Sequence, residues 1–193
     1  MDTEGKIPRA LDALGPLTGR TVAVIDVPDT DWVARLRAAG ADPLVVEPST
    51  PVTIPVPDHA LDAVVAMWTS FRGVDPADLA EADRVLRPGG RLLVVHDYGR
   101  DDVSALRDPA APEYGPWSRR EGPFLHHNGF KIRVVHCFWT FETLEEATAV
   151  LAEFGERGTT VAERLKRPRL TWNVAVYHRW QGGLVPAGTA EAG

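Results

Sequence analysis

Short apolar runs recur along the chain, and segments with helical spacing of apolar residues separate most of them. The runs are predicted strands, and they span residues 21–26, 43–47, 61–67, 91–96, 131–141 and 170–180. The first four show little alternation of apolar and polar residues, which is typical of parallel strands covered on both faces. The pattern therefore predicts an α/β fold, a mainly parallel sheet between helices with an antiparallel edge formed by the last two strands.

Capping residues indicate where the helices should begin. Asp75 is a good N-cap, and Pro76 suits the first helical position because it has no N–H to leave unpaired. Similar signals predict further helix starts at residues 29–31, 143–146 and 160–163, and a short helix within residues 117–128.

Composition and length indicate what kind of protein this chain forms and which partners it excludes. A chain of 193 residues can bury a full hydrophobic core, so we expect one domain over residues 1–180, followed by a disordered tail over residues 181–193. The formal net charge of −6 argues against nucleic acid as a partner. No signal peptide and no apolar run of about 20 residues is visible, so we expect a cytoplasmic protein that does not bind a membrane.

The most specific motif is a tight turn that leads into the fourth predicted strand. It reads LRPGGRLLV over residues 86–94, one helix after LDAVVAMW at residues 61–68. Together with the order of elements from residue 21 to residue 180, these motifs resemble the second half of a class I S-adenosylmethionine (SAM)-dependent methyltransferase. The resemblance implies a three-layer Rossmann-like fold, SAM as cofactor and a small molecule as substrate.

The turn after the first strand departs from that family. Members typically carry an acid followed by a glycine-rich turn, whose backbone approaches the methionine part of the cofactor. Residues 26–32 read DVPDTDW and contain no glycine; Pro28 lacks an N–H and Val27 is β-branched. The acids here would repel a dinucleotide phosphate, but they are compatible with the sulfonium and ammonium groups of SAM.

The resemblance also implies particular cofactor contacts. Asp26 and Asp29 lie in the first turn, and Glu47 ends the second strand, where an acid would hold the ribose hydroxyls. Met67 and Trp68 end the third strand, beside the expected adenosine. A solvated strand-end acid is an equal alternative for Glu47, and a core residue is an equal alternative for Trp68.

The densest polar group at a predicted strand end is His96-Asp97-Tyr98. Ligands in open α/β sheets bind outside the carboxyl ends of the strands. Methyl transfer to oxygen or nitrogen needs a base, and histidine titrates in the useful range. We therefore expect His96 or Tyr98 to orient or deprotonate the acceptor, with Asp97 nearby. A structural role for His96 and a turn cap for Asp97 remain alternatives.

The sequence leaves three functions open. The first is a SAM-dependent methyltransferase acting on a small molecule, and the second is a methyltransferase-fold protein that serves as a regulatory or scaffold partner. The third is a SAM-independent enzyme, such as a cyclase, with some of the six tryptophans lining an apolar pocket. A homodimer through the strand at residues 170–180, or a complex with another protein, is a further option. No spacing of histidines or cysteines supports a metal site.

Overall fold

The computed structural model describes residues 4–27, 30–72, 74–107, 115–126 and 128–183. Its sheet has six strands in the order β2-β1-β3-β4-β6-β5. The strands are β1 (Val22–Ile25), β2 (Leu44–Val46), β3 (Leu61–Met67), β4 (Leu86–Asp97), β5 (Lys131–Thr140) and β6 (Arg169–Trp180). The helices are α1 (Lys6–Leu14), α2 (Asp31–Ala38), α3 (Pro76–Val85), α4 (Asp102–Ala105), α5 (Leu144–Ala152) and α6 (Gly155–Ala162). The predicted α/β fold is confirmed.

The first four strands are parallel, as the continuous apolar runs predicted. Ala23 pairs with Leu44 of β2 on one side and with Val64 of β3 on the other, and β3 pairs in parallel with β4. All four residues of β1 are buried, because each face of the sheet is covered by its own hydrophobic cluster. Parallel strands buried on both faces need apolar residues at successive positions rather than at alternate ones.

The last two strands form the antiparallel part of the sheet. β6 pairs antiparallel with β4 on one side and with β5 on the other, so β5 rather than β6 is the outermost strand. The idea of a homodimer through residues 170–180 is therefore wrong, since the backbone groups of β6 already have partners on both sides.

Two of the predicted helix starts are confirmed by side-chain caps. The Asp75 carboxylate accepts a hydrogen bond from the backbone N–H of Ala77 at 2.8 Å, and the Thr143 hydroxyl accepts one from that of Glu146 at 3.1 Å. Helix α2 begins at Asp31, within the predicted range. These local signals worked because short side chains bonded to the first free N–H groups favour a helix start in any context.

Two other helix predictions are wrong. Helix α6 has already begun at Gly155, and the Thr160 hydroxyl donates to the carbonyl of Glu156 within it instead of capping a new helix. The described residues within 117–128 do not form the predicted helix; a 3₁₀ turn at Gly115–Ser118 is followed by further turns up to residue 126. The sequence Gly122-Pro123 breaks the helical pattern there.

The start of the expected tail is tied to helix α3. Gln181–Gly183 form a 3₁₀ turn, and the backbone N–H of Gly182 donates to the Asp83 carboxylate at 2.8 Å. The rest of that tail, residues 184–193, lies outside the described residues. Within the described ranges, the structure has no helix that is both long enough and apolar enough to cross a membrane.

Candidate functional site

A cavity of about 450 Å³ opens at the carboxyl ends of β1, β3 and β4, where an open α/β sheet binds ligands. Its volume lies in the range of small-molecule sites. We call it the aromatic cavity, and the described residues lining it are Asp26, Val27, Thr30, Trp32, Met67, Trp68, Thr69, Asp97, Val103, Leu106, Arg107, Trp139, Phe154 and Trp172. It thus combines a largely apolar wall with two carboxylates and one guanidinium.

Four tryptophans from separate elements dominate the wall. The ring of Trp68 stacks on those of Trp32 and Trp172, with centroids 5.0 and 5.6 Å away and interplanar angles of 29° and 17°. The Trp32 and Trp172 centroids are 6.5 Å apart, so the three rings form a triangular group, which we call the stack. Trp139 meets Trp172 at 67° with the centroids 6.5 Å apart, so these two rings form a corner. Indole faces carry negative potential and attract cations, most strongly where water is excluded.

Asp97 connects the polar part of the cavity to the tryptophans. One carboxylate oxygen accepts a hydrogen bond from Nε1 of Trp172 at 2.8 Å, and the other forms an ion pair with Arg107. Asp97 is only 7% exposed, so these two partners replace most of its hydration. The side chain therefore fixes the orientation of the Trp172 ring and draws the end of α4 toward the sheet.

Asp26 lies on the opposite side of the cavity, just after β1. Its carboxylate accepts hydrogen bonds from the backbone N–H of Val27 at 2.8 Å and from the Thr30 hydroxyl. Burial raises the pKa of this carboxyl, although the bonds from Thr30 and Val27 act in the other direction. Since the Thr30 hydroxyl donates to Asp26, it does not cap α2.

The turn after β3 has an unusual backbone. Trp68, Phe71 and Val74 have φ values of 54°, 62° and 60°, a region that costs free energy for any residue with a Cβ. The turn is held by hydrogen bonds from Trp68 N–H to the Val95 carbonyl at 3.0 Å and from Arg72 to the Trp68 carbonyl at 2.8 Å. This conformation places the Trp68 ring against the rings of both Trp32 and Trp172.

Four of the predicted site residues line the aromatic cavity, namely Asp26, Met67, Trp68 and Asp97. Glu47 does not line the aromatic cavity and is exposed just after β2. It follows Val46, whose carbonyl accepts a hydrogen bond from the N–H of Asp26 at 3.2 Å. Asp29 lies outside the described residues.

His96 and Tyr98 lie on the other face of the sheet from the cavity. β4 stays extended through Asp97, so side chains alternate between the two faces and only Asp97 of the three points to the cavity. His96 is fully buried, with its ring 5.0 Å from that of Trp117 and 6.3 Å from that of Phe124. Tyr98 packs against the hydrophobic cluster on that same face.

Burial makes His96 a poor proton acceptor. Burial, and to a lesser extent the positive charge of Arg72, lowers the pKa of His96 to about 3. A hydrogen bond with the backbone of Ser70 acts in the opposite direction. The imidazole is therefore neutral at pH 7 and takes up a proton only in strong acid. Its position and its pKa both argue that His96 packs the fold and does not act as the base.

This burial predicts a loss of stability in acid. Below pH 6.5 the unfolded chain binds a proton at His96 that the folded chain does not bind, so the free energy of unfolding should fall as pH decreases toward about 3. The contribution of His96 is at most about 1.4 kcal/mol per pH unit. Burial also lowers the pKa of His178 to about 4, so the two histidines should act in the same direction.

Urea unfolding at pH 7, 6, 5 and 4 checks this prediction. His96→Gln should show a shallower fall than the parent chain, whatever its stability at pH 7. His136→Gln is the matched control, because His136 is exposed, and it should keep the parent slope. An unchanged slope in His96→Gln would contradict the assignment.

The sequence indicated tryptophans, among them Trp139 in β5, only collectively as possible lining of an apolar pocket, and it did not single out Trp32, Trp172 or Arg107. Trp32 comes from the first turn of α2, Trp172 from β6 and Arg107 from the segment just after α4. The available signals were Trp32 directly after the acidic turn and the alternation of residues along β6. Neither signal distinguishes a cavity wall from a packed core before the strand order is known.

Comparison with known proteins agrees with this architecture. Residues 4–94 match the sequence profile of a family described as "Methyltransferase domain". Uncharacterized methyltransferases of Mycobacterium tuberculosis and Mycobacterium bovis are each 30% identical to the chain over 121 residues, covering 52% of this chain and 49% of the relative. The match therefore spans about half the length of these relatives.

A solved structure extends the comparison to nearly the whole chain. A candidate type II methyltransferase from Anaeromyxobacter dehalogenans superposes with a TM-score of 0.56 at 16% identity, covering 90% of this chain and 94% of that one. At this identity the likeness concerns the fold. Residues 4–94 are thus similar to a methyltransferase domain, and the sheet as a whole has the class I methyltransferase-like fold.

Proposed function

We propose that the protein binds SAM in the aromatic cavity and transfers its methyl group to a small molecule. The observation that carries this proposal is the stack of Trp32, Trp68 and Trp172 beside Asp97, at the end of the sheet where the fold binds ligands. A wall of indole faces and carboxylates suits a ligand whose reactive centre is a cation. When bound, SAM supplies a methyl group activated by its positively charged sulfur.

The residues of the cavity fit SAM by charge. The face of Trp68 would attract the sulfonium, and Asp26 would attract the ammonium of the methionine part. Glu47 is exposed one strand further out, beside Asp26, and would accept hydrogen bonds from the ribose hydroxyls. Asp29 would add to the negative charge of the same turn.

The glycine-free turn after β1 implies a different way of holding the cofactor. Here the Asp26 carboxylate accepts hydrogen bonds from Val27 and Thr30, and Trp32 lines the cavity from the next helix. We infer that side-chain charge and aromatic faces provide the affinity that a close glycine backbone provides elsewhere in the family. The protein would then act by positioning its two reactants, which is the main requirement of direct methyl transfer.

Calorimetric titration with SAM and with S-adenosylhomocysteine tests the proposal. We expect dissociation constants in the micromolar range or below, and binding about 10 to 150 times weaker in Asp26→Asn, because a bond to a charged group contributes about 1.5–3 kcal/mol. Asp58→Asn is the control, since Asp58 pairs with Arg84 and does not line the cavity. Absence of binding of both compounds to the parent protein would refute the proposal.

The glycine-free turn also favours a second candidate function, a methyltransferase fold without methyl transfer. Such a protein would serve as a regulatory or scaffold partner, or would use the cavity for a SAM-independent reaction. Both alternatives predict no binding of S-adenosylhomocysteine. The same titration therefore separates them from the leading proposal.

A further inference from the structure

We propose that the methyl acceptor is a small neutral amine, of which a tertiary amine is the simplest case, and that the cavity holds the resulting quaternary ammonium ion. The inference rests on the proposed function, because it names the substrate class of the same site. Two independent observations carry it. One is that the proton-accepting side chains among the described lining residues already have hydrogen-bond or ion-pair partners. The other is the corner that the Trp139 and Trp172 rings form next to Asp97.

The described lining residues offer a poor base. Only Asp26 and Asp97 carry side chains that readily accept a proton, and both are already engaged. Asp97 accepts from Trp172 and pairs with Arg107, so protonating it would weaken both the hydrogen bond and the ion pair that this buried carboxylate makes. A phenol or an alcohol must lose its proton inside the site to become a good nucleophile, whereas an amine that enters as its free base, with its proton left in bulk water, attacks with its own lone pair.

Asp26 is no better placed to deprotonate an acceptor. Its two oxygens accept from the Val27 N–H and the Thr30 hydroxyl. The hydroxyl of Thr69 also has a partner, since it donates to the carbonyl of Ile25 at 3.2 Å. The polar groups of the cavity wall are thus arranged to hold charge in place and not to exchange protons with an acceptor.

The charge balance of the reaction fits the shape of the wall. The lone pair of the amine nitrogen forms the new N–C bond, the C–S bond breaks with its electrons on sulfur, and the positive charge passes from sulfur to nitrogen. A tertiary amine releases no proton in this step. Trp68 and Trp172 both line the cavity, with ring centroids 5.6 Å apart, so aromatic surface lies near the positive charge before and after transfer.

The corner of Trp139 and Trp172 suits the alkylated nitrogen. Its two rings meet at 67°, and the Asp97 carboxylate is hydrogen bonded to one of them. A quaternary ammonium ion has no N–H to donate, so its recognition depends on aromatic faces and a nearby negative charge. Both are present at this corner, and an anionic acceptor would be repelled by Asp97 and Asp26 together.

A binding experiment tests the proposed recognition of a quaternary ammonium ion without requiring methyl transfer. The protein saturated with S-adenosylhomocysteine is titrated with choline and with 3,3-dimethylbutanol, its neutral isostere, by calorimetry and by tryptophan fluorescence. We expect choline to bind at least ten times more tightly than the isostere. We also expect Trp139→Leu and Trp172→Leu to reduce that preference at least fivefold. Trp180→Leu is the control, because Trp180 lies at the other end of β6 and contacts Arg91.

A turnover experiment with a substrate panel completes the test. Small tertiary amines should be methylated at least 100 times faster than phenols or carboxylic acids of similar size. Equal binding of choline and its isostere, or faster methylation of phenols, would overturn the amine assignment while leaving SAM binding intact. Failure of S-adenosylhomocysteine to bind would instead refute the proposed function itself, so the two failures are distinguishable.

Discussion

Trp68→Ala should weaken the binding of SAM by roughly 30- to 100-fold, equivalent to about 2–3 kcal/mol. The substitution removes the ring that stacks on both Trp32 and Trp172, and with it the face that we assign to the sulfonium. Alanine keeps a Cβ, so the strain of the positive φ at residue 68 is the same in both chains. The change in affinity therefore reports the ring and not the backbone. Calorimetric titration of both proteins with SAM measures it.

Two further variants control this prediction. Trp68→Phe should recover part of the affinity, because a smaller aromatic face still attracts a cation. Trp180→Ala removes a tryptophan of the same sheet that lies away from the cavity and should leave the affinity unchanged. If Trp68→Ala bound SAM as tightly as the parent protein, the cofactor would not lie against the stack.

Asp97→Ala should have the second large effect, a loss of about 3 kcal/mol in the free energy of unfolding together with loss of methyl transfer. The Asp97 carboxylate is buried whereas the Arg107 side chain is 29% exposed, so the loss should lie at the lower end of the about 3–5 kcal/mol that breaking a buried ion pair costs. The Nε1–H of Trp172 also loses its acceptor, so the ring is no longer held in the corner. Urea unfolding and a methylation assay measure the two effects separately.

Asp83→Ala is the matched control for stability. Arg179 is only 6% exposed and forms an ion pair with Asp83, but neither residue lines the aromatic cavity. This variant should lose comparable stability yet bind SAM like the parent protein. Asp97→Asn should be intermediate, because an amide oxygen can accept from Trp172 but cannot neutralise Arg107. Full activity of Asp97→Ala at a temperature where it is folded would show that Asp97 serves stability alone.

The parallel half of the sheet was predictable because its signals are local. Buried parallel strands require continuous apolar runs, and the Asp75 and Thr143 caps mark helix starts through bonds to neighbouring N–H groups. The order of the last strands depends on long-range pairing. An apolar run shows that residues 169–180 form a strand, but it does not show that β6 inserts between β4 and β5.

The site was only partly predictable for the same reason. The strand ends at Asp26, Trp68 and Asp97 were found because the fold class itself places ligands there. The face of the sheet to which His96 points depends on how far β4 stays extended. A shift of one residue along the strand would move each side chain to the opposite face. The neighbouring rings of Trp32 and Trp172 come from residues 140 positions apart, which no local pattern connects.

Because β6 inserts antiparallel beside β4, the aromatic cavity is built by two different parts of the chain. The family match ends at residue 94 within β4, whereas Trp139 and Trp172 are supplied by the antiparallel pair β5 and β6. Under our proposals, the first part carries most of the cofactor contacts and the antiparallel pair carries much of the acceptor corner. A substitution at Trp139, which lies outside the stack of Trp32, Trp68 and Trp172, would then alter which acceptor is chosen with little effect on the donor.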